Sequence, residues 1–259
     1  MIKTVLITGG SSGIGFELSK IFGANNYDLV LVAQNAEKLK KSAEELKNKN
    51  INVKTIAKDL SDPASPTQIY ELLQKESIQV DILVNNAGFA TYGPFVETNL
   101  EKELIELQVN IVSLTHLTKL FVRDMIKRGN GKILNVASTA AFTPGPLMAV
   151  YYASKAYVLS FSEALNEELA NSGVSVTALC PGPTDTGFVA RGNLQNSKLF
   201  QGKHMNATFV AQKGYDGLMK NKTIVIPGLQ NKLMVQGLRF APRSFVTKLV
   251  KSLQSKRGD

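Results

Sequence analysis

Tyr151 and Lys155 stand four residues apart in Tyr151-Tyr-Ala-Ser-Lys155, a spacing that places both on one face of a helix. An ammonium beside a phenol favours phenolate and lowers a pKa that is about 10 when unperturbed. A tyrosine tuned in this way gives a proton to a carbonyl oxygen or takes one from an alcohol. Ser138 follows the apolar run Lys132-Ile-Leu-Asn-Val-Ala137, so it falls at a strand's carboxyl end, where open α/β sheets bind ligands. There its hydroxyl could bond the reacting oxygen. Asn110 lies inside a long helical stretch, where asparagine is a mediocre helix former. It could bend that helix and hold a water beside Lys155. Each residue has a plainer use: an amphipathic surface pair, a turn serine, a buried amide satisfied by backbone.

A second constellation lies near the start. Thr8-Gly-Gly-Ser-Ser-Gly-Ile-Gly15 follows the apolar run Lys3-Thr-Val-Leu-Ile7 and precedes Ile14, Leu18, Ile21 and Phe22 at helical spacing. Strand, glycine-rich turn and helix N-terminus together suit a diphosphate. The glycines let backbone N–H groups approach, and the helix dipole favours negative charge.

The elements that must position these residues are legible. Strand-like runs recur at Val5–Ile7, Leu29–Val32, Val53–Ile56, Ile82–Val84, Lys132–Val136, Val174–Leu179 and Thr223–Ile226, with helical stretches between them. The alternation predicts an α/β fold: one doubly wound parallel sheet of about seven strands, covered on both faces. Asn35 is a predicted N-cap, Asp62-Pro63 a predicted cap and first-turn proline, and Thr98-x-x-Glu101 a capping box opening a helix to about Lys127. Gly129 and Gly173 are expected to end helices, the second running from about Tyr151 to Asn171.

These motifs resemble the short-chain dehydrogenase/reductase family. Gly9-x-x-x-Gly13-x-Gly15 has that family's spacing, and Asn85-Asn-Ala-Gly88 is similar to its N-N-A-G motif. Pro181-Gly-Pro-Thr-Asp-Thr186 is similar to its P-G-x-x-x-T, and Asp59 stands where an acid holds the adenine amino group. The resemblance runs from about Lys3 to Thr186. It implies a catalytic tetrad of Asn110, Ser138, Tyr151 and Lys155. It also implies cofactor contacts from Gly9, Ser11, Ser12, Gly13, Ile14, Gly15, Gln34, Asn35, Asp59, Leu60, Asn86, Ala87, Gly88, Pro181, Gly182, Thr184 and Thr186, besides Tyr151 and Lys155. The implied reaction moves a hydride between nicotinamide and a carbonyl or carbinol carbon. Tyr151 transfers the proton, Ser138 steadies the oxygen, Lys155 lowers the tyrosine pKa and binds ribose, and Asn110 supports a water relay. Association into homodimers or homotetramers through the two long helices is implied as well. A nucleotide-binding redox sensor without turnover is the alternative from another class. Within the enzyme class, a 3-ketoacyl or hydroxysteroid reductase competes with a general carbonyl enzyme.

At the end of the second strand, Ala33 cannot accept from a ribose 2′-hydroxyl, which argues against strict NAD use. Gln34 and Asn35 can bond a phosphate without neutralising it, and Lys38 is a distant cation. NADP(H) is therefore favoured, with NAD(H) or dual use as the alternative. Phe142, Leu147, Met148 and Phe188 suggest an apolar substrate pocket, and Arg191 a contact for an acidic group. Core packing would account for the apolar four equally well, and a solvated loop for the arginine.

The 259 residues are 44 % hydrophobic and 20 % charged, enough for one large core. A single cysteine, Cys180, and two histidines leave no disulfide framework and no metal-ligand spacing, and suit a cytoplasmic setting. Cys180 reads as a buried strand residue. No targeting segment is visible, and no window approaches the ~20 apolar residues of a spanning helix. A soluble protein is expected. Of the net charge of +9, +6 falls on residues 229–259, where seven basic residues face only Asp259, so a nucleic-acid surface on the main body is not indicated. We therefore divide the chain into a catalytic domain, 1–228, and a basic extension, 229–259, packed on it. Phe245, Leu249 and Leu253 recur every four residues there, with Lys248, Lys251, Lys256 and Arg257 largely off that line. The stripe suits packing on the domain or a partner subunit, or contact with an anionic membrane.

Overall fold

In a computed structural model of the chain, residues 2–47, 50–192, 194, 197–198, 201–202 and 204–255 are described. Seven strands form one parallel sheet: β1 (Thr4–Thr8), β2 (Asp28–Ala33), β3 (Val53–Ala57), β4 (Ile82–Asn85), β5 (Gly131–Val136), β6 (Val174–Leu179) and β7 (Ile224–Val225). Their order is β3-β2-β1-β4-β5-β6-β7, and every pairing is parallel. The chain steps outward from β1 to β3, then crosses back to lay β4 on the other side of β1. That reversal opens a crevice at the carboxyl ends of β1 and β4, the place where such sheets take ligands.

Both faces are buried because the strand pleat sorts alternate residues. Val5, Ile7, Leu29 and Leu31 join Leu18 and Phe22 of α1 (Gly13–Ala24), Leu39 of α2 (Ala36–Leu46) and Val210 and Leu218 of α8 (Ala207–Met219). Leu6, Val30, Val32 and Leu83 meet Ile69 and Leu73 of α3 (Ser65–Lys75) and Leu117, Phe121 and Met125 of α5 (Leu114–Arg128). Phe22, Leu6, Ile7 and Leu117 are fully buried, each contributing about 1.5–3 kcal/mol relative to exposure. Each face thus holds one half of the crevice in place.

The local signals fared unequally. Asn35 caps α2 by accepting the Lys38 N–H at 2.8 Å, and Gly129, at φ 66°, ends α5. The cap ahead of α4 (Leu100–Leu107) is Asn99, which accepts the Lys102 N–H; the Thr98 hydroxyl instead donates to Phe95 O and Glu103 Oε1. Asp62 and Pro63 lie in a turn before α3, whose first-turn proline is Pro66. The helix α6 runs Ala149–Glu168 and stops short of Asn171, with turns carrying the chain to Gly173. Between α4 and α5 the helix widens into a π-helical segment, Gln108–Ser113.

After β6 come the short α7 (Phe188–Arg191), α8, then α9 (Leu229–Leu238) and α10 (Arg243–Gln254). The expected apolar stripe of α10 is not its buried face. Phe245, Leu249 and Leu253 are 60, 47 and 44 % exposed, whereas Val246 and Gln254 are 5 and 0 % exposed. The helix meets the domain along Val246, Val250 and Gln254, one helical step around. Lys256 and Arg257 lie outside the described residues, as does the Arg191 side chain. Among the described residues no helix is long and apolar enough to cross a membrane, and no group of acidic, histidine or cysteine side chains could hold a metal ion.

Candidate active site

A cleft of about 600 Å³ opens at the crevice beyond β1 and β4. Its floor at one end is the turn from β1 to α1. Gly9, at φ 65°, takes a backbone conformation that L side chains rarely adopt, and a Cβ there would stand 2.8 Å from the Asn86 amide. The Asn86 Nδ2–H donates to Thr8 O at 2.9 Å, while the Thr8 hydroxyl accepts from the backbone N–H of Asn86 and Ala87, both at 3.0 Å. These bonds clamp the ends of β1 and β4 together. No side chain caps the N-terminus of α1, and its first residues Gly13 and Ile14 line the cleft, which leaves helix N–H donors of the kind an anion takes. Ser11, Ser12, Gly13 and Ile14 line this end, followed by Gln34, Asn35, Asp59, Leu60, Ala87 and Gly88. The Asp59 carboxylate is steadied by the Ser61 N–H at 2.9 Å. A cradle that a Cβ would fill, uncapped helix donors and a cleft of this length fit a dinucleotide.

The other end gathers Ser138, Tyr151, Lys155, Pro181, Gly182, Thr184 and Thr186 in the same cleft wall. Lys155 Nζ lies 5.7 Å from the Tyr151 ring centre and donates to Val136 O at 2.9 Å, which anchors α6 to the end of β5. Ser138 opens a 3₁₀ turn, Thr139–Phe142, where its hydroxyl accepts the Ala140 N–H. Two predicted residues stand behind the wall rather than in it. Gly15 packs within α1, where a Cβ would come within 2.5 Å of Gly9 O. Asn110 sits in the π-helical segment and is bonded on both sides: its Oδ1 accepts the Phe89 N–H, and its Nδ2 donates to Phe89 O and Ser154 Oγ. A Cβ on Gly88 would lie 2.8 Å from Asn110 Oδ1 and 3.5 Å from Lys155 Nζ, so this amide backs the lysine.

Residues 3–197 match the family model described as short chain dehydrogenase. The chain belongs to the short-chain dehydrogenase/reductase family. It is 34 % identical over 189 residues to a short chain dehydrogenase of Pseudocercospora fijiensis, an alignment spanning 71 % of this chain and 60 % of that protein. Among solved structures, it resembles a short-chain dehydrogenase from Sphingobium yanoikuyae in complex with NADPH (TM-score 0.84, 30 % identity, 98 % of each chain). It also resembles the bulky-bulky ketone specific alcohol dehydrogenase of Comamonas testosteroni (TM-score 0.77, 28 % identity, 93 % of this chain and 95 % of that one). The chain is thus an oxidoreductase of this family, and use of a nicotinamide cofactor goes with it.

The electrostatics of this short-chain dehydrogenase depart from the sequence expectation at Tyr151. Burial holds the phenol above the ordinary tyrosine range; a hydrogen bond to Ser138 opposes this, and neighbouring Tyr152 and Glu106 add to it. The Lys155 ammonium, 5.7 Å from the ring centre and donating to Val136 O, does not offset the burial. Burial pushes Lys155 itself down to about 8, with Glu106 opposing. Desolvation therefore acts against both charged forms, and phenolate with ammonium is the ionised state in which each charge finds compensation.

Sequence reasoning missed several residues. Glu106, one helical turn before Asn110, is fully buried, and its carboxyl is pushed up to about 7 by burial. Thr91 and Lys155 ease its ionised form, although neither carboxyl oxygen has a hydrogen bond of good geometry. Lys58 lines the cleft beside Lys38, and Phe89, Tyr152 and Gln254 line it near Tyr151. Of the apolar four, Met148 and Phe188 reach the cleft, while Phe142 packs against Ala137, Val158 and Leu159 beside the sheet. Leu147 is not in the cleft lining either; it takes φ 67° in the bend between Ser138 and Tyr151, and its carbonyl accepts the Gly93 N–H at 2.9 Å. Cys180, just beyond β6, is buried, with its thiol pushed up to about 12.

Proposed function

We propose that this chain interconverts an apolar ketone or aldehyde and the corresponding alcohol, with NADP(H) preferred. The observation that carries the reading is the convergence of Tyr151, Ser138 and Lys155 on one cleft end, while the glycine turn and uncapped α1 supply the other. The chemistry that a bound nicotinamide brings is hydride transfer. Tyr151 holds and moves the proton at its phenolic oxygen. Ser138 steadies the substrate oxygen beside it. Lys155 biases the phenol toward release, and Asn110 fixes the backbone at Phe89 behind the lysine.

NADP(H) preference is supported by the adenosine end. Lys38 and Lys58 line it, and Asp59 is the acidic side chain among the described lining residues. Ala33 leaves the usual acceptor position empty of charge. The NADPH complex of the Sphingobium relative supports that cofactor, and the ketone specificity named for the Comamonas relative supports a carbonyl substrate. Leu100, Leu104 and Val112 are exposed along α4 and the π-helical segment, and Tyr157 on α6, which supports association of two copies there. The tail, with no acidic side chain from Leu229 to Ser255 and an exposed Phe245/Leu249/Leu253 stripe, suits contact with an anionic membrane surface from a cytoplasmic location.

The test is initial rates of NADPH and NADH oxidation with ketones, aldehydes, ketosteroids and 3-ketoacyl thioesters, wild type beside Tyr151→Phe. Turnover that falls on the order of 10²–10⁴-fold in the variant is expected. Nucleotide binding without turnover on any carbonyl would move the protein to a sensing role.

A further inference from the structure

Gln254 is the last residue of α10, far in sequence from every motif, yet it lines the same cleft as Tyr151 and is 0 % exposed. A buried amide is costly unless its groups are bonded; this one is bonded to two separate segments, and the residue's backbone carbonyl to a third. Its Nε2–H donates to Tyr152 Oη at 2.7 Å, its Oε1 accepts the Ser197 hydroxyl at 2.9 Å, and its backbone carbonyl accepts Tyr92 Oη–H at 2.6 Å. Tyr92 follows β4, Tyr152 adjoins Tyr151 on α6, and Ser197 belongs to the segment after the Pro181–Thr186 turn. The Lys198 N–H also meets Ser255 O, and its Nζ donates to Ser255 Oγ at 3.3 Å, so two successive residues of this segment are tied to the tail.

Tyr152 is a fixed anchor for the amide. Its ring lies so close to Gly145 that a Cβ there would fall 2.1 Å from it, which blocks movement toward the bend before α6. On its other side it meets the Tyr151 ring edge-to-face at 6.1 Å. Val250, one turn before Gln254, packs on Ala90, Met148, Tyr151, Tyr152 and Leu194.

We propose that Gln254 is a specificity-determining residue: it fastens α10 to Tyr152 and to the 197–198 segment, so that the C-terminal helix becomes the substrate-side wall of the cleft and limits the substituent a substrate carbonyl can carry there. The proposal rests on the carbonyl–alcohol reading. The amide supplies the wall's polar point, and Met148, Phe188 and the two tyrosine rings supply its apolar surface. A ketone with one compact apolar substituent fits, and a second bulky group requires the wall to yield.

The test is a binding measurement that needs no turnover. Protein loaded with NADPH is titrated by NMR with cyclohexanol and with benzhydrol, alcohols that cannot react with the reduced cofactor. In Gln254→Ala the preference for benzhydrol over cyclohexanol should rise about tenfold, while the NADPH dissociation constant stays within twofold. Tyr152→Phe should shift the preference in the same direction, and the double variant should add little, since the two side chains act through one bond. Gln254→Glu, which keeps the acceptor for Ser197 and loses the donor to Tyr152, should give a smaller shift. In cofactor-free protein, amide hydrogen exchange over 246–254 and at Ser197 should quicken at least tenfold in Gln254→Ala, with β1, β4 and β5 unchanged. An unmoved alcohol preference overturns the proposal, and faster exchange with an unmoved preference makes Gln254 a merely structural residue. Binding that shifts as expected in a protein that oxidises NADPH with no carbonyl would sustain the wall and sink the reading of the reaction.

Discussion

The two ends of the cleft are built by different means. At the cofactor end, the bonds run between backbone groups and short polar side chains within recognisable motifs: Asn86 to Thr8 O, Thr8 to the Asn86 and Ala87 N–H groups, Asn35 to Lys38. Most of these residues are small because the backbone itself must approach the ligand. At the substrate end, the bonds run between large side chains from distant segments, as with Gln254 and Tyr152, 102 positions apart. One end is a property of turns, and the other is a property of how the finished fold brings its tail home. Mutations should therefore separate them: changes in the turn should abolish nucleotide binding and spare the wall, and changes in the wall should do the reverse.

The sharpest break is Gly9→Val. A β-branched side chain at φ 65° is strained, and its Cβ would collide with Asn86 and the Ala87 backbone. NADPH affinity should fall more than about 100-fold, near 3 kcal/mol, measured by fluorescence titration. Hydrogen exchange over 246–254 should be untouched. Parallel loosening of the tail would show that the two ends are one cooperative unit.

Glu106 tests what lies between them. Its folded carboxyl titrates near 7, above its unfolded value of about 4.3. Below the unfolded pKa both states are protonated and the group is neutral in its effect. As pH rises from about 4.3 to 7 the unfolded chain ionises first, so this residue's contribution to stability declines through that window and levels off above it. Glu106→Gln should flatten that decline and raise stability at pH 8 by on the order of 2 kcal/mol, read by urea denaturation at pH 5 and pH 8. A loss of stability at pH 8 would mean that the ionised carboxylate is a net stabiliser of Lys155.

The smallest effect is expected at the adenosine end. Lys38→Ala should raise KM for NADPH about fivefold and leave KM for NADH nearly unchanged, because a solvent-facing lysine near a phosphate is worth about 1 kcal/mol. Equal effects on both cofactors would remove Lys38 from any part in the choice.

Legibility followed the same division. The seven strands were readable because Val5, Leu6 and Ile7 must all be apolar when both faces of a parallel sheet are covered. The glycine turn, Asn86 and the Tyr151/Lys155 pair were readable because their types answer to local geometry. Thr98 was mistaken for the cap that Asn99 makes, since two adjacent side chains both suit that position and only the chain's path chooses. Of the uses the α10 stripe suits, only packing on the domain is excluded, and for a related reason: Phe245, Leu249 and Leu253 are more regular than Val246, Val250 and Gln254, but regularity does not say which face meets the domain. Glu106 carried no signal at all, being one acidic residue among several on an apparently solvated helix.

By itself, then, the amino-acid sequence determined the doubly wound parallel sheet and the residue types placed at the strand ends, because hydrophobic periodicity and backbone-restricted residues act over a few positions. The tertiary structure alone decided the burial of Glu106, the raised Tyr151 phenol and the burial of Gln254 in the cleft lining. Each of those depends on which groups from remote segments exclude water around a polar atom, and desolvation is a property of the assembled surroundings rather than of any stretch of chain.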